Sequence, residues 1–238
     1  MFMGIIRLKI GVVGLSPGAG AGFIAVNLAR SFVKKKGCRP ALLELGGGRL
    51  YDSLAMDKHF AGKEYHDFFC SLSDNRNFRG ICNELHGVNW VLNSPNNGKK
   101  KLDLIRLIRL VNNVSGNIIV CKISNLENED LWELMWDMDR VLVVIDPLPS
   151  MMLAGHEFLC KLRTSNLPMA YVVNKMNAGV SRRELLGYLG IKQMHYIPMV
   201  EPSLIYGAEY SCRSWPDVDG IRKVIEKPIE KIAEGILS

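Results

Sequence analysis

The sequence is poor in the features that mark several large protein classes. Six cysteines, at positions 38, 70, 82, 121, 160 and 212, form no C-x-x-C pair and lie at no zinc spacing from the histidines. That excludes a zinc site of familiar spacing, and free thiols, mostly buried, are the expectation. The five histidines, 59, 66, 86, 156 and 195, show no ligand spacing, so no metal is assigned to them. No apolar run approaches the ~20 residues of a membrane span. The first residues, M-F-M-G-I-I-R-L-K-I, lack a signal-peptide layout, because Arg7 and Lys9 interrupt them and lead into a strand. A cytoplasmic location follows as an expectation. There is no G-x-S-x-G elbow, no Cys–His arrangement suited to nucleophilic catalysis, no internal repeat and no low-complexity tract.

What is present suits a large α/β unit. The 238 residues are 48% hydrophobic, enough for a sizeable core, and are read as one domain spanning 1–238. Thirty basic against 24 acidic residues leave +6, a modest excess that permits contact with anionic surfaces without demanding it. No specific nucleic acid is expected as a partner.

Strand and helix patterns alternate along the chain. Leu8 to Gly14 reads as a buried parallel strand, Gly22 to Lys36 as a helix and Pro40 to Leu45 as a second strand closed by Gly46-Gly47-Gly48. Arg49 to Gly87 is harder to read; one or two short helices are expected, with Asp67 to Leu72 the better one. Further strands are expected at Val88–Leu92, from Asn117 to Val120, at Arg140–Ile145, Pro168–Val173 and Met194–Ile197. Helices are expected at Lys100–Val114, Glu127–Asp137, Pro149–Leu162, Ser181–Leu189 and Asp217–Leu237, the last interrupted by Pro228. The alternation predicts a three-layer α-β-α architecture around a mostly parallel sheet.

The most informative stretch is G-V-V-G-L-S-P-G-A-G-A-G-F-I-A-V-N-L-A, Gly11 to Ala29. A strand, a glycine-rich turn and a helix N-terminus bring backbone N–H groups and the helix dipole to one point, where a phosphate binds well. A dinucleotide fingerprint needs G-x-G-x-x-G; from Gly18 the chain supplies two glycines and then Phe23, although Glu44 ends the second strand where a ribose-binding acid would stand. A P-loop needs G-x-x-x-x-G-K-[ST]. Its length fits with Gly20 as the second glycine, but Leu15, Ala21 and Gly22 then replace the first glycine, the lysine and the hydroxyl residue.

The whole stretch resembles the deviant Walker A motif of the ParA/MinD family of P-loop ATPases, roughly K-G-G-x-G-K-T-T followed by A-x-N-L-A. Ala25, Asn27, Leu28 and Ala29 match the tail. P-A-L-L-E-L at Pro40, D-R-V-L-V-V-I-D-P at Asp139, Y-V-V-N-K at Tyr171, G-V-S-R-R-E-L at Gly179 and Y-I-P-M-V at Tyr196 follow in the family's order. The resemblance covers nearly the whole chain and implies the P-loop NTPase fold of that family. It implies nucleotide contacts from Ser16, Pro17, Gly18, Ala19, Gly20, Ala21, Gly22 and Phe23, with Asn174 and Pro198 toward the base.

The departures fall on the charged positions. Ser16 stands where the family has the lysine that reaches across a dimer, Ala21 where it has the phosphate-binding lysine, and Gly22 where it has the magnesium-binding threonine. The strand expected to end in a metal-linked Asp reads I-I-V-C-K-I-S, putting Cys121 or Lys122 there. Phosphoryl transfer depends on such charges, and loss of one electrostatic group alone often costs ~3–4 kcal/mol of barrier lowering. The expectation is therefore a degenerate member: ATP or ADP bound weakly or not at all, no Mg²⁺, no hydrolysis. Its role would be in localisation or scaffolding, with partners from a positioning or secretion system and a possible homodimer. D-P-L-P-S at Asp146 is similar to the TadZ/CpaE subgroup, associated with pilus secretion machinery, although the receiver-like N-terminal domain of many of its members is not expected here. A working ATPase that uses a displaced lysine, with Lys122 as a candidate, and a dinucleotide- or anion-binding regulator remain as alternatives.

Other features have plainer readings. Trp132 and Trp136 lie four apart on one helix, where core packing is favoured over a partner patch. Lys99-Lys100-Lys101 reads as a solvated stretch. The final helix carries Ile221, Val224, Ile225, Ile229, Ile232 and Ile236 on one side, with Lys223, Lys227 and Lys231 among its polar positions. Docking on the sheet is favoured over peripheral membrane contact.

Overall fold

The computed structural model describes residues 7–74, 76–94, 103–124, 128–191 and 193–237. The strands are β1 (Leu8–Gly14), β2 (Pro40–Leu45), β3 (Glu84–Leu85), β4 (Val88–Val91), β5 (Ile118–Ile123), β6 (Arg140–Ile145), β7 (Met169–Met176) and β8 (His195–Pro198). They form an eight-stranded sheet in the order β3-β4-β2-β5-β1-β6-β7-β8, parallel except for the short β3–β4 hairpin. β1 lies centrally, with Leu8 beside Ile118 of β5 and Ile10 beside Arg140 of β6.

The helices are α1 (Ala21–Val33), α2 (Leu50–Ser53), α3 (Met56–His59), α4 (Phe68–Ser73), α5 (Leu104–Asn113), α6 (Asn128–Trp136), α7 (Pro149–Ala154), α8 (His156–Thr164), α9 (Arg182–Leu189), α10 (Pro202–Tyr210) and α11 (Asp219–Leu237). Side chains alternate along each strand, so the sheet feeds two cores. Ile10, Val12, Leu42, Val120 and Val144 pack with α1 and α11 on one face. Val13, Leu43, Ile119, Val143 and Ile145 pack with α5, α6, α8 and α9 on the other. These layers are the three-layer α/β arrangement expected from the pattern.

α11 explains its own amphipathy. Ile221, Ile225, Ile229, Ile232 and Ile236 are buried against α1 and the sheet. Each contributes about 1.5–3 kcal/mol relative to exposure. The apolar side is thus spent on the core, as docking requires, while Val224 sits half-buried at its edge. Lys34 and Lys35, just past α1, pair with Glu226, Glu230 and Glu234 along the same seam. The helix runs through Pro228 without ending; the proline forgoes one backbone bond within an element already held by its isoleucines.

Several expectations need correction. Pro149–Leu162 is not one helix but α7 and α8, divided at Gly155. A Cβ at Gly155 would lie 2.5 Å from the Leu15 carbonyl oxygen, so the chain there passes flush against the loop after β1. β5 continues from its expected start to Ile123, and β7 runs past Val173 to Met176, because their ends keep parallel partners. α10 has no counterpart in the sequence reading; only Ala208 on it is buried, so it carries no amphipathic signal. Arg49–Gly87 holds three short helices and the β3 strand. Trp136 is 64% exposed, and Leu134 and Met135 provide the core contact of α6 instead, while Trp132 packs edge-on to Phe158. Ile105 is 79% exposed, since α5 turns Leu107, Leu110 and Val111 inward. Of the thiols, Cys121 is buried but Cys82 and Cys160 are exposed. The Lys99–Lys101 run lies outside the described residues.

Two glycine substitutions test the packing of Gly155. Gly155→Ala drives a methyl into backbone and should cost about 1–3 kcal/mol in urea unfolding. Gly187→Ala, on α9 with nothing within 4 Å of the added carbon, should be neutral or stabilise by up to about 1 kcal/mol. Equal effects would refute the close approach.

Candidate phosphate-loop site

β1 ends where its hydrogen bonding passes to the loop: the Leu15 N–H donates to Val144 at 2.8 Å. Ser16 to Gly20 then turns sharply, with the Ala19 N–H donating to the Ser16 carbonyl at 3.3 Å. Gly18 (φ 78°) and Gly20 (φ 93°) adopt the left-handed conformation that glycine accepts without strain. Gly20 is the N-cap of α1, and no side chain caps the helix. The N–H groups of the first turn therefore have no intrahelical acceptor. The loop has the form of an anion cradle with backbone donors and a helix N-terminus behind it.

The predicted residues distribute unevenly around this form. Pro17 and Gly18 are exposed, Ala19 is buried, and Ala21 and Gly22 are half-buried on the first turn. Ser16 is buried, and its Oγ has no partner. Phe23 turns away from the loop to pack on Trp215, ring centroids 5.5 Å apart. Asn174, on β7, is buried and donates from Nδ2 to the Ala19 carbonyl at 3.0 Å. It lies so close to Gly20 that a Cβ there would be 2.2 Å from Nδ2. Pro198 is exposed at the end of β8, three strands from β1.

Two residues absent from the sequence-based set complete the loop's support. Lys175, a non-glycine residue at φ 59°, donates from Nζ to the Gly18 carbonyl at 2.8 Å and to Asp146 Oδ2 at 2.6 Å. Asp146 directly follows β6 and accepts the Leu148 N–H through Oδ1 at 3.1 Å. The available signal was a charged residue beside an apolar run in each case, D-P directly after β6 and N-K near the end of β7.

A second charged pair lies at the ends of β2 and β5. Glu44 and Lys122 are register partners, with Lys122 Nζ 3.4 Å from Glu44 Oε1. Nζ also donates to the Gly47 carbonyl at 2.9 Å and to Ser124 Oγ at 2.7 Å. The Leu50 N–H donates to Glu44 Oε1 at 3.3 Å, while Glu44 Oε2 is buried without a partner. Burial pushes the Glu44 carboxyl above its ordinary range and outweighs the pull of Lys122. Leu50 closes the space between this pair and α1: its Cδ2 lies 3.0 Å from where a Cβ at Gly22 would stand. Among the described residues, no group of three or more His, Cys, Asp or Glu side chains converges to hold a metal ion.

Beyond Asp146 and Lys175 a cavity of about 700 Å³ opens between α7 and α9, lined by Pro147, Leu148, Met152, Leu153, Tyr188 and Met199. Leu148 and Leu153 are 55% and 70% exposed there.

The central strand, the glycine turn and the helix behind it define the α/β P-loop fold. The chain has the ParA/MinD-like version of that fold. It is similar over its full length to a ParA family ATPase from Chlorobium tepidum, at 14% identity, 98% coverage of each chain and a TM-score of 0.72. A putative plasmid partition protein of Borrelia burgdorferi, solved with AMPPNP, gives 13% identity, 96% and 99% coverage and a TM-score of 0.72. The cell division ATPase MinD of Pyrococcus furiosus gives 16% identity, 98% coverage of each chain and a TM-score of 0.70. No protein-family model and no curated protein sequence matches the chain.

The tight seat of Asn174 on Gly20 yields a direct test. Gly20→Ala combines a left-handed backbone with a collision and should cost about 2 kcal/mol or more in thermal or urea unfolding. Adding Asn174→Ala removes the collision but not the backbone strain, so the double variant should be less destabilised than the sum of the two singles. Strict additivity would count against the contact.

Proposed function

We propose that this protein is a catalytically degenerate ParA/MinD-like protein that acts as a localisation or scaffold factor, with weak or no nucleotide binding. The observation that carries the reading is a preserved loop without chemical equipment. Ser16, Ala21 and Gly22 bring no cation to the phosphate side, and Ala21 and Gly22 bring no hydroxyl to the first turn of α1, while Asn174 and Lys175 already hold the Ala19 and Gly18 carbonyls. ATP or ADP is the ligand class the loop suits, and the AMPPNP-bound partition protein of the same fold supports that choice. Affinity would rest on backbone amides, the helix dipole and Asn174. Mg²⁺ does not fit, because Leu50 fills the space beside Gly22 and Lys122 already neutralises Glu44.

In this reading all 238 residues serve as one protein-binding unit. The partners are proteins of a positioning or secretion system, with the pilus machinery of the TadZ/CpaE type the more specific form. A homodimer would not depend on nucleotide, since Ser16 supplies no charge across a shared phosphate. A second reading, a working ATPase with a displaced lysine, draws on Lys175, whose ammonium lies 2.8 Å from the loop at Gly18.

Purified protein with ATP and Mg²⁺ should release no phosphate above the buffer rate and should show little thermal shift with ADP or ATP. Turnover that disappears in Lys175→Met or Lys122→Ala would instead establish the ATPase reading, and a shift with NAD(H) alone would favour a dinucleotide-binding regulator. Sedimentation should give the same oligomeric state with and without ATP; a dimer that forms only with ATP would contradict the nucleotide-independent assembly.

A further inference from the structure

We propose that the Lys122 ammonium is a resident cation, held in an oxygen cage beside the phosphate loop, that takes the place of a divalent ion and fixes the Gly46–Gly48 turn in one position irrespective of ligand. This deepens the reading above and rests on it for the identity of the loop as phosphate-shaped.

The cage is built from strand register. Glu44 and Lys122 face each other on adjacent parallel strands, on the sheet face that also carries Leu42 and Val120 under α1. Val12 of β1 pairs with Lys122 on its other side, so the ammonium stem starts one strand from the loop. An ammonium has three N–H donors. Here they meet three kinds of oxygen: the Glu44 carboxylate, the Gly47 carbonyl and the Ser124 hydroxyl. Ser124 Oγ in turn donates to the same Gly47 carbonyl at 2.9 Å, and the Ser124 N–H donates to Leu45 at 3.1 Å. Carboxylate, carbonyl and hydroxyl oxygens are also the ligands that hard divalent cations choose. A tethered monocation fills the set instead.

The glycine triplet is shaped to this cage. Gly46 and Gly47 have φ of 82° and 98°. A Cβ at Gly48 would lie 1.7 Å from Glu44 Oε1 and 2.6 Å from Lys122 Nζ. The turn therefore wraps the ion pair at backbone distance, and the residue after it, Arg49, leads into Leu50, whose N–H is bound by the same carboxylate. Leu50 then seals the cage from Gly22. A divalent ion arriving here would meet an ammonium in place of open ligands. Glu44 is fully buried with one oxygen unpartnered, so it keeps unused acceptor capacity beside the lysine.

The test needs no nucleotide, so its failure is distinct from a failure of the functional reading. Mn²⁺ binding is followed by electron paramagnetic resonance, and thermal unfolding is measured in chelator and in Mg²⁺. The wild-type chain should bind no Mn²⁺ and show the same Tm in both buffers. Lys122→Ala should lose stability in chelator, gain one Mn²⁺ site and recover part of its Tm in Mg²⁺. Lys122→Met, which keeps the alkyl stem, should respond in the same way and serves if the alanine variant does not fold. The neutral pair Glu44→Gln/Lys122→Met should stay indifferent to metal. Mn²⁺ bound by the wild-type chain, or lysine variants indifferent to both metals, would overturn the proposal.

Discussion

A backbone loop that carries no charged side chain of its own must have its polar groups held by its neighbours. That constraint organises the centre of this molecule. The carbonyls of Gly18 and Ala19 are bound by Lys175 and Asn174 from β7. The Leu15 N–H is bound from β6, and Gly155 lies flat against the Leu15 carbonyl. Each neighbour fixes one edge of the turn, and two approaches, Asn174 to Gly20 and Gly155 to the Leu15 carbonyl, leave no room for a Cβ. The shape of the turn is thereby held by the protein's own groups.

The charges nearest the loop are turned on one another. Lys175 is paired with Asp146 and Lys122 with Glu44, and both pairs join strand ends. An ammonium already bound to a carboxylate and a carbonyl has little to offer a phosphate unless the pair is broken, and for the buried Lys122–Glu44 pair breaking it would leave an uncompensated charge. This arrangement favours a fixed architecture over ligand-driven rearrangement.

The sequence made the sheet legible because parallel strands buried on both faces read as unbroken apolar runs, as at Arg140–Ile145. The glycine spacing from Gly18 to Gly22 likewise revealed the turn. Less visible was everything that depends on approach across the fold. Gly155 looks like any helix glycine until Leu15 is placed against it. Lys175 and Asp146 look like ordinary strand-end charges until their strands are set beside the loop. Leu50 reads as one more apolar residue, and nothing local ties it to Gly22. Trp136 shows the reverse error: its helical spacing from Trp132 suggested core, but the packing of α6 turned it outward.

The central position of β1 also has a kinetic meaning. This strand precedes both of its partners in the chain, pairing with residues 118–123 and 140–144. Its turn is then closed by Asn174 and Lys175 from still further along. Contacts so distant in sequence carry a large loop-closure cost and form slowly. During synthesis the apolar run Ile10–Val13 has no strand partner until residues 118–123 have emerged. An apolar segment without its strand partners is open to aggregation or chaperone capture in that interval.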